Sequence, residues 1–442
     1  MNTNKHIAVV GAGLIGSLLS IFLIRRGYKV SVYERRPDPR LYFTEGGRSI
    51  NMALSNRGIR ALGEVGVMDK AKSLAIPMHG RAMHDLQGRL TYQPYGEEGQ
   101  FINSISRGGL NNLLLSEAER EGVNFHFNYR CSRADLEQTT LYFQHEDKTE
   151  QLHFDFIVGA DGAFSEVRGA MQITDRYDYE QFFIEHGYKE LTIHPEKGHL
   201  LEQNALHIWP RESYMLIALP NPDGSFTCTL FFPFDGPLSF QALKTDQQIT
   251  DFFTTAFPDA TPLLPNLLQD FHANPTSSLV TIRCFPWIRQ NTLLIGDAAH
   301  AVVPFFGQGM NAGFEDSRIL NELLNKHQDD WHKMMHEFQV LRKPDTDAIA
   351  QLALDNFVEM RDLVADPDFL LRKKIEAKLH ELFPHRWTPL YSMVTFMDTM
   401  RYSDARIIGE KQRKIMDDVM SDPKIFDTWQ SLDFEAIVKR LF

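Results

Sequence analysis

The chain has 442 residues, 43% hydrophobic and 24% charged, a globular balance with enough length for two or three lobes. Its formal net charge of -12 excludes the basic footprint of a nucleic-acid binder and disfavours contact with anionic membranes. Cys131, Cys228 and Cys284 are odd in number, far apart and without CxxC or Cys/His ligand spacing. That excludes a disulfide framework and a zinc site and predicts a reducing, cytoplasmic setting with no metal.

Residues 7–24 carry no charge and follow Lys5, the outline of a signal peptide or membrane span. Gly11, Gly13 and Gly16 interrupt the run, and Arg25-Arg26-Gly27 closes it as a helix end closes. No apolar run of spanning length follows, so no membrane span is expected. The opening reads instead as strand, turn, helix and strand: residues 6–10, 11–16, 14–26 and 29–34. Gly11-Ala12-Gly13-Leu14-Ile15-Gly16 permits a tight turn and close backbone approach to a pyrophosphate at a helix N-terminus. Glu34, with Arg35 beside it, stands where a carboxylate accepts the hydroxyls of an adenosine ribose. NAD and FAD both satisfy this pattern.

Helix-rich sequence continues to about residue 75, and a section punctuated by Gly and Pro runs to 100. Residues 108–121 read as a helix, and 154–159 as a buried strand ending at Asp161-Gly162, by itself only a turn signal. From about 187 to 232 the pattern changes to alternating, aromatic-rich segments at 205–209, 214–218 and 226–232, an antiparallel sheet. Residues 292–296 form a strand running into Asp297, a long helix follows Gly309, and the chain is nearly all helical from about 321. The prediction is a mixed α/β fold with a Rossmann-type dinucleotide-binding domain at 1–75, 101–170 and 285–325. An antiparallel-sheet substrate domain, 76–100 and 171–284, is interleaved with it, and a helical C-terminal domain covers 326–442.

The second nucleotide signal narrows the cofactor. Gly296-Asp297-Ala298-Ala299-His300 precedes Pro304 and then Gly307-Gln308-Gly309-Met310-Asn311. A strand delivers Asp297, which can accept a ribityl hydroxyl. The N–H groups of Gly309, Met310 and Asn311, at a positive helix end, can face a flavin carbonyl that gains negative charge on reduction. These residues resemble the second flavin motif of the FAD-dependent aromatic hydroxylase family, and Gly159-Ala160-Asp161-Gly162 through Arg168 resembles its Asp-Gly motif. The resemblance implies non-covalent FAD, with NADPH and O2 as co-substrates. No second GxGxxG unit is present, in keeping with a family that lacks a separate NADPH domain.

Longer segments are similar to the kynurenine-hydroxylating branch of that family, over roughly residues 5–400. They include Glu34-Arg35-Arg36-Pro37-Asp38-Pro39-Arg40, Gly47-Arg48-Ser49-Ile50-Asn51-Met52-Ala53-Leu54-Ser55, His186-Gly187-Tyr188-Lys189-Glu190-Leu191 and Tyr391-Ser392-Met393-Val394-Thr395-Phe396. By resemblance, Arg81, Tyr95, Asn356 and Tyr391 form the substrate site with Glu359 and Met360, Arg107 and Ala53 contact FAD, and Phe305 and Phe306 wall the ring pocket. Arg81 suits a carboxylate clamp because a guanidinium offers paired N–H donors. The implied reaction is 3-hydroxylation of L-kynurenine, and no residue is assigned as catalytic acid or base because the flavin carries the chemistry. Another aromatic acid as substrate and a non-catalytic flavin module are the alternatives. His79 and His84, like His380 and His385, are five apart, off the spacing that puts two ligands on one helix face. The end at Phe442, without an apolar tail, matches the soluble bacterial members; monomer and homodimer both stay open.

Overall fold

The computed structural model describes residues 4–41, 51–97, 99–360 and 366–442. Gly47, Arg48, Ser49 and Ile50 of the quoted segment lie outside the described residues.

Three apolar strands, His6–Val10, Lys29–Glu34 and Phe156–Gly159, are buried along nearly their whole length. Such runs suit a parallel sheet covered on both faces. They pair in parallel with His6–Val10 in the centre, and the sheet extends to Asn124–Phe127 on one side. On the other side it continues to Thr292–Leu294 and ends at Ile288–Arg289. The C-terminal ends of the central strands therefore open on one edge, where the helices Leu14–Arg25 and Gly309–Lys326 begin. The meander Arg130–Asp135, Thr140–His145 and Lys148–His153 forms a separate three-stranded sheet.

A seven-stranded sheet makes the second lobe. Its spine is Asp178–Ile193, a 16-residue strand whose first half pairs with Ser277–Phe285 and whose second half pairs with Phe226–Pro233. Tyr214–Pro220 and Ala205–Arg211 follow, and Ala205–Arg211 then pairs in parallel with Gly80–His84. The helices Asp246–Ala256 and Leu267–Ala273 contribute Phe253 and Phe271 to a cluster with Trp209, Phe226 and Phe232 from the sheet.

The helix-rich expectation before residue 75 is corrected at Asn51–Leu54, which is a strand paired with Ile102–Ser106; Ala75–Met78 pairs with that same strand. Long-range pairing overrides local propensity in so short a segment. The C-terminal region is helical: Trp331–Val358, Pro367–Leu382, Leu390–Thr395, Tyr402–Met420 and Phe434–Lys439 are its main helices. It joins the first lobe through a buried ionic cluster. Arg342 pairs with Glu315 at 2.8 Å, Asp316 at 2.7 Å and Asp345 at 3.2 Å, and His300 meets Asp316 at 2.5 Å. Burial opposes ionisation of Asp316, yet His300 and Arg342 bring its carboxyl down to about 2. Among the described residues no helix is long and apolar enough to cross a membrane, no group of His, Cys, Asp and Glu is arranged to hold a metal, and all three cysteines are free and buried.

Candidate active site

The strand ends, the inner face of the seven-stranded sheet and the C-terminal helices enclose a cavity of about 630 Å³. Its lining includes Gly11, Gly13, Leu14, Ile15, Glu34 and Arg35 from the first unit, then Ala53, Arg107 and Asp161, and then Asp297, Gly309 and Met310. Arg81, Tyr95, Met360 and Tyr391 line it too. Sequence segments far apart in the chain thus meet in one space.

The glycines of the first turn do different work. Gly11 has φ +104, and a Cβ there would lie 2.5 Å from the Ala160 carbonyl oxygen, so it allows two strand ends to touch. At Gly16 a Cβ would meet the Gly11 oxygen at 2.0 Å; this residue packs the helix under the turn and does not line the cavity. Around Gly13 nothing lies within 4 Å of the Cβ direction, and the residue caps its helix without a side-chain bond. Its open side and the N–H groups of the helix start could cradle a phosphate. Glu34 is held in place: one carboxylate oxygen accepts from Ala12 N at 3.0 Å, the other from Arg36 N and Nε, both at 3.0 Å. A carboxylate offers about four acceptor positions, so capacity for a ribose hydroxyl is left over.

Asp297 faces the cavity at the start of a one-turn helix. Enclosure raises its carboxyl above the ordinary range, against the pull of Arg107 and His300. Asp161 is occupied by its own chain: it accepts from Ser165 Oγ at 2.5 Å and from Glu166 N at 2.8 Å, pinning the start of the helix Glu166–Gln172. Desolvation also raises this carboxyl, against those bonds. Asn311 is fully buried and lies off the cavity. Its side chain accepts from Ser55 N at 3.0 Å and donates to Ala53 O and Gly307 O, each at 2.8 Å, tying the Gly307 turn to the strand below it.

The opposite part of the cavity is built around Arg81. In Gly80–His84 the residues Gly80, Ala82 and His84 are buried, and the alternation turns Arg81 to the cavity side. Its guanidinium carbon lies 5.4 Å from the Tyr95 ring centroid and 4.6 Å from that of Tyr391, and those two rings stack 5.7 Å apart. Nε of Arg81 is buried with no hydrogen-bond partner. Burial opposes its charge, but Tyr391, Tyr95 and Glu359 outweigh it and raise its pKa above the ordinary arginine value. An orphan donor on a buried guanidinium asks for an anion. Phe306 stacks on Tyr391 at 5.4 Å, and Phe305 lies 4.9 Å from Phe231 and 4.4 Å from Phe357, so both phenylalanines are buried walls of the cavity.

Two residues expected to touch substrate do not reach the cavity. Asn356 donates to Phe305 O at 2.7 Å and to Met360 Sδ at 3.3 Å, because the backbone carbonyl beside it needs a donor. Glu359 points to Lys373, 3.6 Å away. Sequence reading also missed Tyr188, Met215, Thr229 and Ser278, which line the cavity from the sheet. The alternation of the segments carrying Met215 and Thr229 was visible, but alternation does not say which face meets a ligand.

A sequence family described as "FAD binding domain" matches residues 4–333. Kynurenine 3-monooxygenase of Christiangramia forsetii is 52% identical over 442 residues, covering 98% of each chain, and that of Flavobacterium johnsoniae is 49% identical, covering 100% of this chain and 99% of its own. The namesake from Dictyostelium discoideum is 44% identical over 94% of this chain and 93% of its own. Among solved structures, 2-methyl-3-hydroxypyridine-5-carboxylic acid oxygenase superposes with a TM-score of 0.68 at 20% identity, covering 82% of this chain and 94% of its own. PqsL of P. aeruginosa in complex with 2-aminobenzoylacetate gives 0.66 at 18%, covering 81% and 97%; both likenesses show the fold.

Proposed function

The chain belongs to the kynurenine 3-monooxygenase family of FAD-binding proteins, and on that premise we propose that it hydroxylates L-kynurenine to 3-hydroxykynurenine, consuming NADPH, a proton and O2 and releasing NADP+ and water. The observation that carries this reading is the orphan Arg81 Nε inside the cavity that also contains Gly13, Glu34, Asp297 and Gly309. One space offers a phosphate cradle, a ribose acceptor and an anion clamp, the donor set that FAD and an amino-acid-bearing substrate require.

FAD supplies hydride acceptance from NADPH and activation of O2 when bound. The protein's own part is binding, orientation and exclusion of water. Gly13 and the helix after it would receive the pyrophosphate, Glu34 the adenosine ribose and Asp297 the ribityl chain. The unpaired N–H groups at the start of Gly309–Lys326 would stabilise negative charge on the reduced ring. Arg81 would take the substrate carboxylate between Tyr95 and Tyr391, leaving the aryl ring against Phe305 and Phe306. The aniline lone pair activates the ring, so no protein base is needed. Walls of Phe, Met and Leu would exclude water from the substrate ring.

The test is direct. Purified protein carries FAD, L-kynurenine accelerates NADPH oxidation, and 3-hydroxykynurenine accumulates. NADPH consumption with no hydroxylated product from L-kynurenine would refute the substrate assignment.

A further inference from the structure

The C-terminal helix Tyr402–Met420 sends its first side chain across the lobe boundary. Tyr402 is fully buried, and its hydroxyl donates to Gln308 Oε1 at 2.8 Å. The same oxygen receives a longer bond, 3.4 Å, from Ser55 Oγ. Gln308 is the N-cap of the helix Gly309–Lys326 and offers that helix no side-chain bond of its own. Its neighbours Gly307 and Gly309 both line the cavity, although Gln308 does not. The turn requires glycine: Gly307 has φ +67, and a Cβ there would sit 3.0 Å from the Ala53 Cβ. Glycine has wide backbone freedom, so contacts from neighbouring side chains decide where such a turn comes to rest. The Tyr402 ring is fixed from behind by Arg57, whose guanidinium carbon stands 3.9 Å above it and which pairs with Glu315.

We propose that Tyr402 is a positioning residue for the flavin chemistry: its hydroxyl, acting through Gln308, fixes the Gly307–Gly309 turn and so the N–H groups aimed at the reduced ring. The C-terminal helical region thereby belongs to the apparatus that sets how the flavin is held. This inference rests on the FAD reading above, and it assigns a purpose to a buried hydroxyl that packing alone does not need.

The test uses the holoenzyme and Tyr402→Phe, which deletes one oxygen and keeps the ring over Arg57. A buried hydrogen bond of this kind corresponds to about a five- to tenfold change in an equilibrium. The expected result is FAD dissociation weakened about five- to tenfold, an altered visible spectrum of the bound flavin, and more hydrogen peroxide per hydroxylated product. A double-mutant cycle with Gln308→Ala guards against a general packing effect: if Tyr402 acts through Gln308, Tyr402→Phe adds little in the Gln308→Ala background. Wild-type FAD affinity, spectrum and coupling in Tyr402→Phe, or fully additive losses in the cycle, would overturn the proposal. Wild-type protein that binds no FAD would instead overturn the reading on which it stands.

Discussion

The guanidinium carbon of Arg81 lies 4.6 Å from the ring centroid of Tyr391, so a strand of the seven-stranded sheet and a short C-terminal helix meet at one wall of the cavity. Removing either side should therefore be read in substrate binding before it is read in chemistry. Arg81→Ala is expected to raise KM for L-kynurenine by about 100-fold or more, since truncating one partner of a buried charge pair costs about 2–5 kcal/mol. Arg81→Lys should recover only part of this, because an ammonium cannot make the paired contact. Steady-state kinetics decide it; an unchanged KM in Arg81→Ala would remove the clamp from the account.

Gly11 and Gly13 should fail in different ways. Gly11→Ala forces a side chain into φ +104 against the Ala160 carbonyl at 2.5 Å and should cost about 3 kcal/mol or more of stability. Gly13→Ala meets nothing within 4 Å, so the apoprotein should melt near the wild-type temperature while FAD affinity falls about tenfold or more. Thermal melts of apoprotein beside FAD titrations separate the two outcomes.

His207 predicts an acid limit. It donates through Nε2 to Glu202 O at 2.9 Å, and Nδ1 meets His84 Nε2 at 2.9 Å. Burial pushes its pKa down to about 4. The unfolded chain, with histidine near 6.5, takes up a proton that the folded state refuses. Stability from this site is full above about pH 6.5 and is lost as pH falls toward 4, by on the order of 3 kcal/mol. Burial works against Asp259, yet bonds from His84 and Trp209 hold its carboxyl below the usual range, which extends the loss to lower pH. Urea denaturation at pH 7.5 and pH 5 should show the decline, and His207→Asn should flatten it; an equal slope in the variant would count against this origin.

Arg342 sits among Glu315, Asp316 and Asp345 with almost no exposure. Arg342→Ala should lower stability by about 3–5 kcal/mol, because it strips the shared cation from three buried acids and leaves Glu315 only Arg57, Asp316 only His300 and Asp345 only Arg401. A small change in the denaturation midpoint would mean that water or a cation replaces the guanidinium.

Legibility was uneven, for physical reasons. The Gly11–Gly16 turn, Glu34, Asp297 and the Gly309 helix start could be read because phosphate and ribose recognition needs particular residues at local spacing. The sheet strands at 205–211, 214–220 and 226–233 were readable because alternation is a period of two. Asn51–Leu54 was not, since four residues carry too little pattern and the pairing partner lies far along the chain. Asn356 was assigned to the substrate by resemblance, and only the fold turns it to the Phe305 carbonyl.

By itself, then, the order of residues determined the fold class and the cofactor class, and it singled out Arg81, which the fold places on the cavity. Those features rest on short-range chemistry. Which face of the long sheet looks inward, which helix supplies Tyr402, and why Gln308 is held from the far end of the chain were decided by tertiary packing. A hydrogen bond between residues so distant in sequence has no local signature, because the partner is chosen by where the lobes meet.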